Sequence, residues 1–125
     1  MVQRKRVRRI GREDRVGADP SPGVIREQAI SVEGMWTGIA FTEPGVATGW
    51  HHHGSHETAV YVVSGLIRVE SGPDGQEVLE ARVGEFVHVP AGVIHRESNP
   101  GEMTSCLVVM RAGSGQPTIN VDGPE

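Results

Sequence analysis

The apolar positions of this chain fall in short runs punctuated by glycine, proline and small polar residues. The clearest run is Ala59-Val60-Tyr61-Val62-Val63, which Ser64-Gly65 turns into Leu66-Ile67-Arg68-Val69-Glu70. Further runs over 35–41, 45–53, 77–81, 85–89, 93–95 and 105–110 have strand-like length, and Gly72-Pro73-Asp74-Gly75 reads as a hairpin-type turn. Nowhere is a 3.6-residue period sustained, so no helix longer than two turns is expected. Many short strands with seventeen glycines predict an all-β barrel or sandwich.

The ends read differently. Ala18-Asp19-Pro20-Ser21-Pro22-Gly23 holds two prolines and a glycine in six residues, which predicts a linker without regular structure. The expected organisation is a basic N-terminal arm and linker over 1–23, a barrel over 24–112 and a polar tail over 113–125. Within that tail Thr118-Ile119-Asn120-Val121 has the makings of an edge strand. At 125 residues the chain has the size of one domain.

Charge alters this picture at one place. Residues 1–15 carry seven Arg or Lys against Glu13 and Asp14, a net of +5, whereas the remainder carries five arginines against fourteen acids, a net of −9. A basic arm on an acidic body has the electrostatics to touch nucleic acid. With no recognition-helix pattern and few, scattered aromatics, no nucleic-acid partner is expected. No run of about 18 apolar residues predicts a membrane span, and Met1-Val2-Gln3-Arg4-Lys5-Arg6 lacks the apolar core of a secretory signal. The expected compartment is cytoplasmic. One cysteine, Cys106, excludes an intramolecular disulfide and sits in an apolar run as a buried, inert thiol. A nucleophilic serine elbow and a phosphate-binding glycine loop are both missing, which removes hydrolase-triad and nucleotide readings.

The densest chemistry is Gly49-Trp50-His51-His52-His53-Gly54-Ser55-His56-Glu57-Thr58, with four of the six histidines. On a strand His51 and His53 share a face with Cα atoms roughly 7 Å apart, close enough for two imidazoles to meet one ion. His52 points the other way, and Glu57 can return toward the pair after the Gly54-Ser55 turn. His88 shares strand parity with Phe86 and Pro90, which suits a wall residue or an orienting partner. Trp36, Phe41, Trp50 and Tyr61 are available to line a pocket or fill the core.

These features resemble the cupin superfamily, whose fold is a double-stranded β-helix or jelly roll. Its first motif, G-x5-H-x-H-x3,4-E-x6-G, is matched by Gly45 through Glu57 and on to Gly65. Its second, G-x5-P-x-G-x2-H-x3-N, is matched by Gly84, Pro90, Gly92, His95 and Asn99. The resemblance implies a divalent metal held by His51, His53, Glu57 and His95. One spacing departs from the pattern: seven residues, not six, separate Glu57 from Gly65. Counting back from Gly65 puts Thr58 on the carboxylate position, and a bulge is expected to absorb the extra residue and keep Glu57 as ligand.

Three imidazoles and a carboxylate suit Mn, Fe, Ni, Co or Zn, and an octahedral ion would keep two open positions for water or a bidentate ligand. The expected function is a small metal-dependent cupin, an oxygenase or isomerase acting on a small polar metabolite. The opposing class is a non-catalytic metal-bearing binding or sensory domain. A homodimer is expected, since barrel edges need covering and single-domain cupins pair through sheet faces or exchanged terminal strands.

Overall fold

The structure is a computed structural model that describes residues 4–125. Eleven strands form among the described residues: β1 (Val16–Ser21), β2 (Val24–Val32), β3 (Met35–Thr42), β4 (His51–His52), β5 (Glu57–Ser64), β6 (Leu66–Ser71), β7 (Glu77–Arg82), β8 (Phe86–Val89), β9 (His95–Ser98), β10 (Ser105–Ala112) and β11 (Ile119–Asn120). The only helices among those residues are two 3-10 turns, Arg12–Asp14 and Pro73–Gly75. One antiparallel sheet runs β1-β2-β3-β10-β5-β8 and the other β11-β4-β9-β6-β7. From β3 onward the chain passes repeatedly between the two sheets, as in a double-stranded β-helix.

Two-residue periodicity decides what fills the barrel. Along β5 the residues Thr58, Val60 and Val62 are buried, and Ile67 and Val69 of β6, Val87 and Val89 of β8 and Leu107 of β10 meet the two valines in one apolar cluster with Ala81. Burial of each such aliphatic side chain contributes about 1.5–3 kcal/mol. Gly65 makes the turn between β5 and β6 possible. Its φ is +79°, and a Cβ there would lie 2.8 Å from Ser105 Cα on the neighbouring segment.

Asn99, 1% exposed, locks the other end. Its Nδ2 donates to Thr42 O (2.9 Å) and Met103 O (2.8 Å), and its Oδ1 accepts from Gly101 N (2.9 Å). The backbone of Asn99 also exchanges hydrogen bonds with Gly45 and Val46. The terminal asparagine of the second motif is thereby a structural fastener, fixing β9 against the segment that leads into the histidines.

Several elements differ from their sequence reading. Residues 18–21, expected as linker, belong to β1, because an edge strand needs only one partner and tolerates proline. The β1–β2 register is interrupted between Ala18 and Ser21, where Pro20 lies. The strand expected over 45–53 is regular only at His51–His52, with a lone bridge from Ala47 to Ser98. Here Thr48 Oγ1 accepts from Glu97 N (3.0 Å) in place of a backbone carbonyl, so a side chain completes the ladder. Likewise β9 starts at His95 and not at 93, and 72–75 folds as a 3-10 turn. In the tail, Ile119 and Asn120 pair with His52 and His51 and cover the edge of this chain's own β4. No helix among the described residues is long and apolar enough to cross a membrane.

Candidate metal centre

His51 and His95 stand opposite each other on β4 and β9, their ring centroids 4.4 Å apart. The His53 ring lies 5.1 Å from His51 and 4.9 Å from His95, so the three imidazoles form a compact triangle. His53 lies just beyond the end of β4, and a hydrogen bond rather than strand pairing sets its ring. In each histidine Nδ1 faces a backbone carbonyl: His51 Gly49 O at 2.8 Å, His53 Pro117 O at 2.8 Å and His95 Val93 O at 3.0 Å. A carbonyl only accepts, so in each neutral ring the proton sits on Nδ1 and Nε2 carries the lone pair. Orienting a ligand imidazole through its second nitrogen is the usual arrangement at metal sites.

The carboxylate that joins this triangle is Glu97, two residues along β9 from His95. One ligand-type atom from each of His51, His53, His95 and Glu97 lies within 4.8 Å of all the others. Glu97 Oε1 is 3.3 Å from His95 Nε2, too poorly aligned for a hydrogen bond, so His95 Nε2 is fully buried and without a hydrogen-bond partner among the described residues. A buried polar atom of this kind calls for an explanation, and a cation shared by the four side chains supplies one. The donor set, three nitrogens and one oxygen, fits a divalent ion of the Mn-to-Zn series.

The electrostatics follow from burial and the single negative charge. Burial pushes the His51 imidazole down and lowers His53 to about 4, keeping both neutral. Burial acts on His95 in the same direction, but contact with Glu97 outweighs it and leaves that imidazole raised. For Glu97, burial works to raise the carboxyl, yet the imidazoles around it hold it at about 2.

Glu57, the expected fourth ligand, is not among these residues. Thr58, Val60 and Val62 alternate inward without interruption, so Glu57 faces outward with Ala59 and Tyr61. The extra residue is absorbed by a register slip against β10 between Val62 and Ser64, at the Gly65 end of the strand, where it cannot re-aim Glu57. Glu57 Oε1 is instead 2.7 Å from His88 Nε2, and its Oε2 accepts from Ala91 N (2.9 Å). Those two bonds hold the exposed carboxyl below its ordinary value, the Ala91 N–H contributing most. His88 is thereby an outer-surface partner of Glu57. Of the other histidines, His52 Nδ1 accepts from Gly54 N (3.0 Å), and the buried His56 contacts Gly115 O through Nε2 (3.1 Å).

Thr58 therefore stands on the inward position that the first motif reserves for a carboxylate. It is 2% exposed, its Oγ1 has no hydrogen-bond partner among the described residues, and it lines a cavity of about 640 Å³ that also reaches His51, His53 and Glu97. Trp36 borders the same space, whereas Trp50 lies under Arg96 at 4.7 Å and Tyr61 packs at a tilt against Phe86 with centroids 4.8 Å apart. Besides Glu97, the cavity holds two arginines that were not singled out in the sequence. They are Arg26 of β2 and Arg111 of β10, and strand parity with Val24 and with Leu107 and Val109 marks both as inward.

The Cupin domain family matches residues 39–110, more than half of the chain, and the protein belongs to that family. Among solved structures it is similar to KdgF from Halomonas sp., with a TM-score of 0.73 and 19% identity over 85% of this chain and 94% of that one. An uncharacterized conserved protein with a double-stranded beta-helix domain from Klebsiella pneumoniae gives 0.71 and 20% over 83% and 90%. The oxalate decarboxylase OxdC of Bacillus subtilis gives 0.71 and 19% over 82% of this chain, which spans only 29% of that enzyme. At these identities the likeness concerns the fold. No curated protein matches the chain in sequence.

Proposed function

We propose that this protein is a metal-dependent cupin enzyme that holds one divalent ion through Nε2 of His51, His53 and His95 and the carboxylate of Glu97, and acts on a small polar metabolite in the adjoining cavity. The observation that carries this reading is the convergence of three tautomer-fixed Nε2 atoms and one carboxylate beside a space of about 640 Å³. Small-molecule sites of a few hundred cubic ångströms with a few convergent polar groups are the common setting for such chemistry. That the oxalate decarboxylase of the same fold has Mn(II) centres supports the choice of a hard or borderline divalent ion over copper(I).

A bound ion of this kind would supply Lewis-acid polarisation of a keto, enol or hydroxy-acid oxygen, the chemistry of an isomerase, or a dioxygen site if it is iron, as in an oxygenase. The chain's own residues do the rest. Carbonyls of Gly49, Val93 and Pro117 keep the imidazoles aimed, Glu97 supplies the one negative charge, and Thr58 Oγ1 offers a hydrogen bond inside the cavity. The pocket wall from Val60, Ile67 and Leu107 limits water on one side.

Metal analysis of protein purified without added metal tests the assignment. We expect about one ion per chain, lost in His53→Ala and in His95→Ala at neutral pH. Full occupancy in both variants would overturn it. Stoichiometric metal with no turnover across small keto, hydroxy and enol acids would make the protein a metal-bearing binding domain instead.

A further inference from the structure

We propose that the cavity receives a small carboxylic acid, and that Arg111 is the group that takes its carboxylate beside the His/Glu cluster. The inference deepens the metal-dependent reading above and relies on it for the second half of the binding site.

Arg111 is 8% exposed, and its Nε has no hydrogen-bond partner among the described residues. No carboxylate among those residues lies within ion-pair distance of it, although every other inward or half-buried charge here has a partner of some kind. Arg15 pairs with Glu27, Arg68 with Glu80, Arg96 with Glu70, and Arg26 donates to Asp19 O and Ser21 Oγ. A buried guanidinium without an anion is costly, because desolvation is not repaid by a counter-charge. Its burial is visible in the lowered affinity of Arg111 for its proton.

The side chain is also held in place for a ligand. Its Cζ lies 4.7 Å from the centroid of Trp36, its register partner across β3 and β10, and Trp36 is itself fixed by Nε1 donating to Gln28 Oε1 (2.9 Å). On its other flank in the register stands Thr58, with its unpartnered buried hydroxyl. Stacking on an aromatic face leaves the planar fork of N–H donors free at its edge, the geometry that matches a carboxylate in two parallel hydrogen bonds. Arg111 is close enough to the cluster for its charge to act on His53 and His95.

The charges in the cavity favour a carboxylate over a more highly charged group. Arg111 and Arg26 are balanced by Glu97 and Asp19, all lining the same space. The charge left for a ligand is that of the divalent ion, enough for one or two carboxylates and too little for a polyphosphate. A small acid with one carboxylate on Arg111 and a second oxygen reaching the cluster fits this arrangement.

The test is calorimetric titration of metal-loaded protein with malonate, its uncharged analogue malonamide and inorganic phosphate, after the metal content of each preparation is measured. Malonate should bind at least ten times more tightly than malonamide and more tightly than phosphate. Arg111→Gln should lose at least tenfold in malonate affinity with its metal retained, Arg111→Lys should recover part of it, and Arg68→Gln on the outer surface should match the unaltered protein. Equal binding of acid and amide, tighter binding of phosphate, or unchanged malonate affinity in Arg111→Gln would each overturn the proposal. The acid-against-amide comparison needs no variant and survives a folding defect in Arg111→Gln. Failure of the unaltered protein to hold metal would defeat the metal reading, and the guanidinium's part is then read separately, from whether Arg111→Gln binds malonate more weakly than the unaltered protein when both are metal-free.

Discussion

Glu97 Oε1 lies 3.3 Å from His95 Nε2, both side chains projecting from the same face of β9 two residues apart. Glu57, which the first motif points to, is bonded to His88 on the outside of the barrel. The two glutamates therefore make opposite predictions. Glu97→Gln should weaken metal binding by at least about tenfold, the loss that even the indirect partners of metal ligands cause. Glu57→Gln should leave metal affinity unchanged. Competition with a chelator of known affinity measures both, and the reverse order would reinstate Glu57.

What was legible in the sequence is what fixed spacing determines. The His51-x-His53 pair, Pro90, Gly92, His95 and Asn99 occupy defined motif positions, and each has the structural place that the spacing implies. Glu97 falls within the unspecified residues between His95 and Asn99, so no motif names it. The signal that marks it is parity: a carboxylate two residues from a ligand histidine on a strand shares its face. The same rule applied backward from Val62 and Val60 puts Thr58 inside and Glu57 outside. Expecting a bulge between Glu57 and Gly65 to re-aim Glu57 overrode that count, and the slip, at Val63, lies too far along the strand to do so. Arg111 was concealed by its apolar neighbours Val109 and Met110. The irregular course of 45–50 was hidden for another reason, since Thr48 supplies a side-chain acceptor that pattern reading takes for strand.

The site should make metal binding strongly dependent on pH. Glu97, held at about 2, is ionised throughout the working range. In the metal-free protein His95 is raised above its ordinary value of 6.5, so its pairing with Glu97 contributes stability that is complete below 6.5 and lost as pH rises through the raised value. His51 and His53 are lowered and work in the opposite sense, costing stability below 6.5 where the unfolded chain takes up protons they refuse. A metal ion must displace the His95 proton. The rise in thermal midpoint on adding one equivalent of divalent metal should therefore grow from pH 6 to pH 8. Scanning fluorimetry with and without metal at each pH checks this, and a rise independent of pH would count against His95 as ligand.

The outer face of the six-stranded sheet carries apolar side chains in register. Ile25 of β2 stands beside Phe41 of β3 and Cys106 of β10, and Val108 of β10 stands beside Tyr61 of β5 and Phe86 of β8. Ile25 and Phe86 are 63% and 68% exposed. An apolar patch spread over five strands favours burial against a second copy. Sedimentation should give the mass of two 13.4 kDa chains at micromolar concentration, and Phe86→Glu should shift it toward one. A single-chain mass for the unaltered protein would remove the dimer.

The basic arm has a separable role. The stretch expected as a basic arm begins with residues 1–3, which lie outside the described residues. Residues 4–11 belong to no strand or helix, Val7 is fully exposed, and the 3-10 turn at Arg12–Asp14 buries nothing. An ion pair ties the arm's end to the barrel at Arg15, whose Nε lies 3.1 Å from Glu27 Oε1 beside the start of β1. A partly screened ion pair of this kind contributes under about 1 kcal/mol, and less as salt rises. Among the described residues no hydrogen bond or ion pair joins His51, His53, His95, Glu97 or Arg111 to the arm. Deleting residues 1–15 should therefore preserve one metal per chain and lower the thermal midpoint only slightly, by an amount that shrinks at high salt. Loss of metal from a still-folded truncated protein would show that the arm reaches the site. Unchanged metal with a shift from two chains to one would assign the arm to assembly.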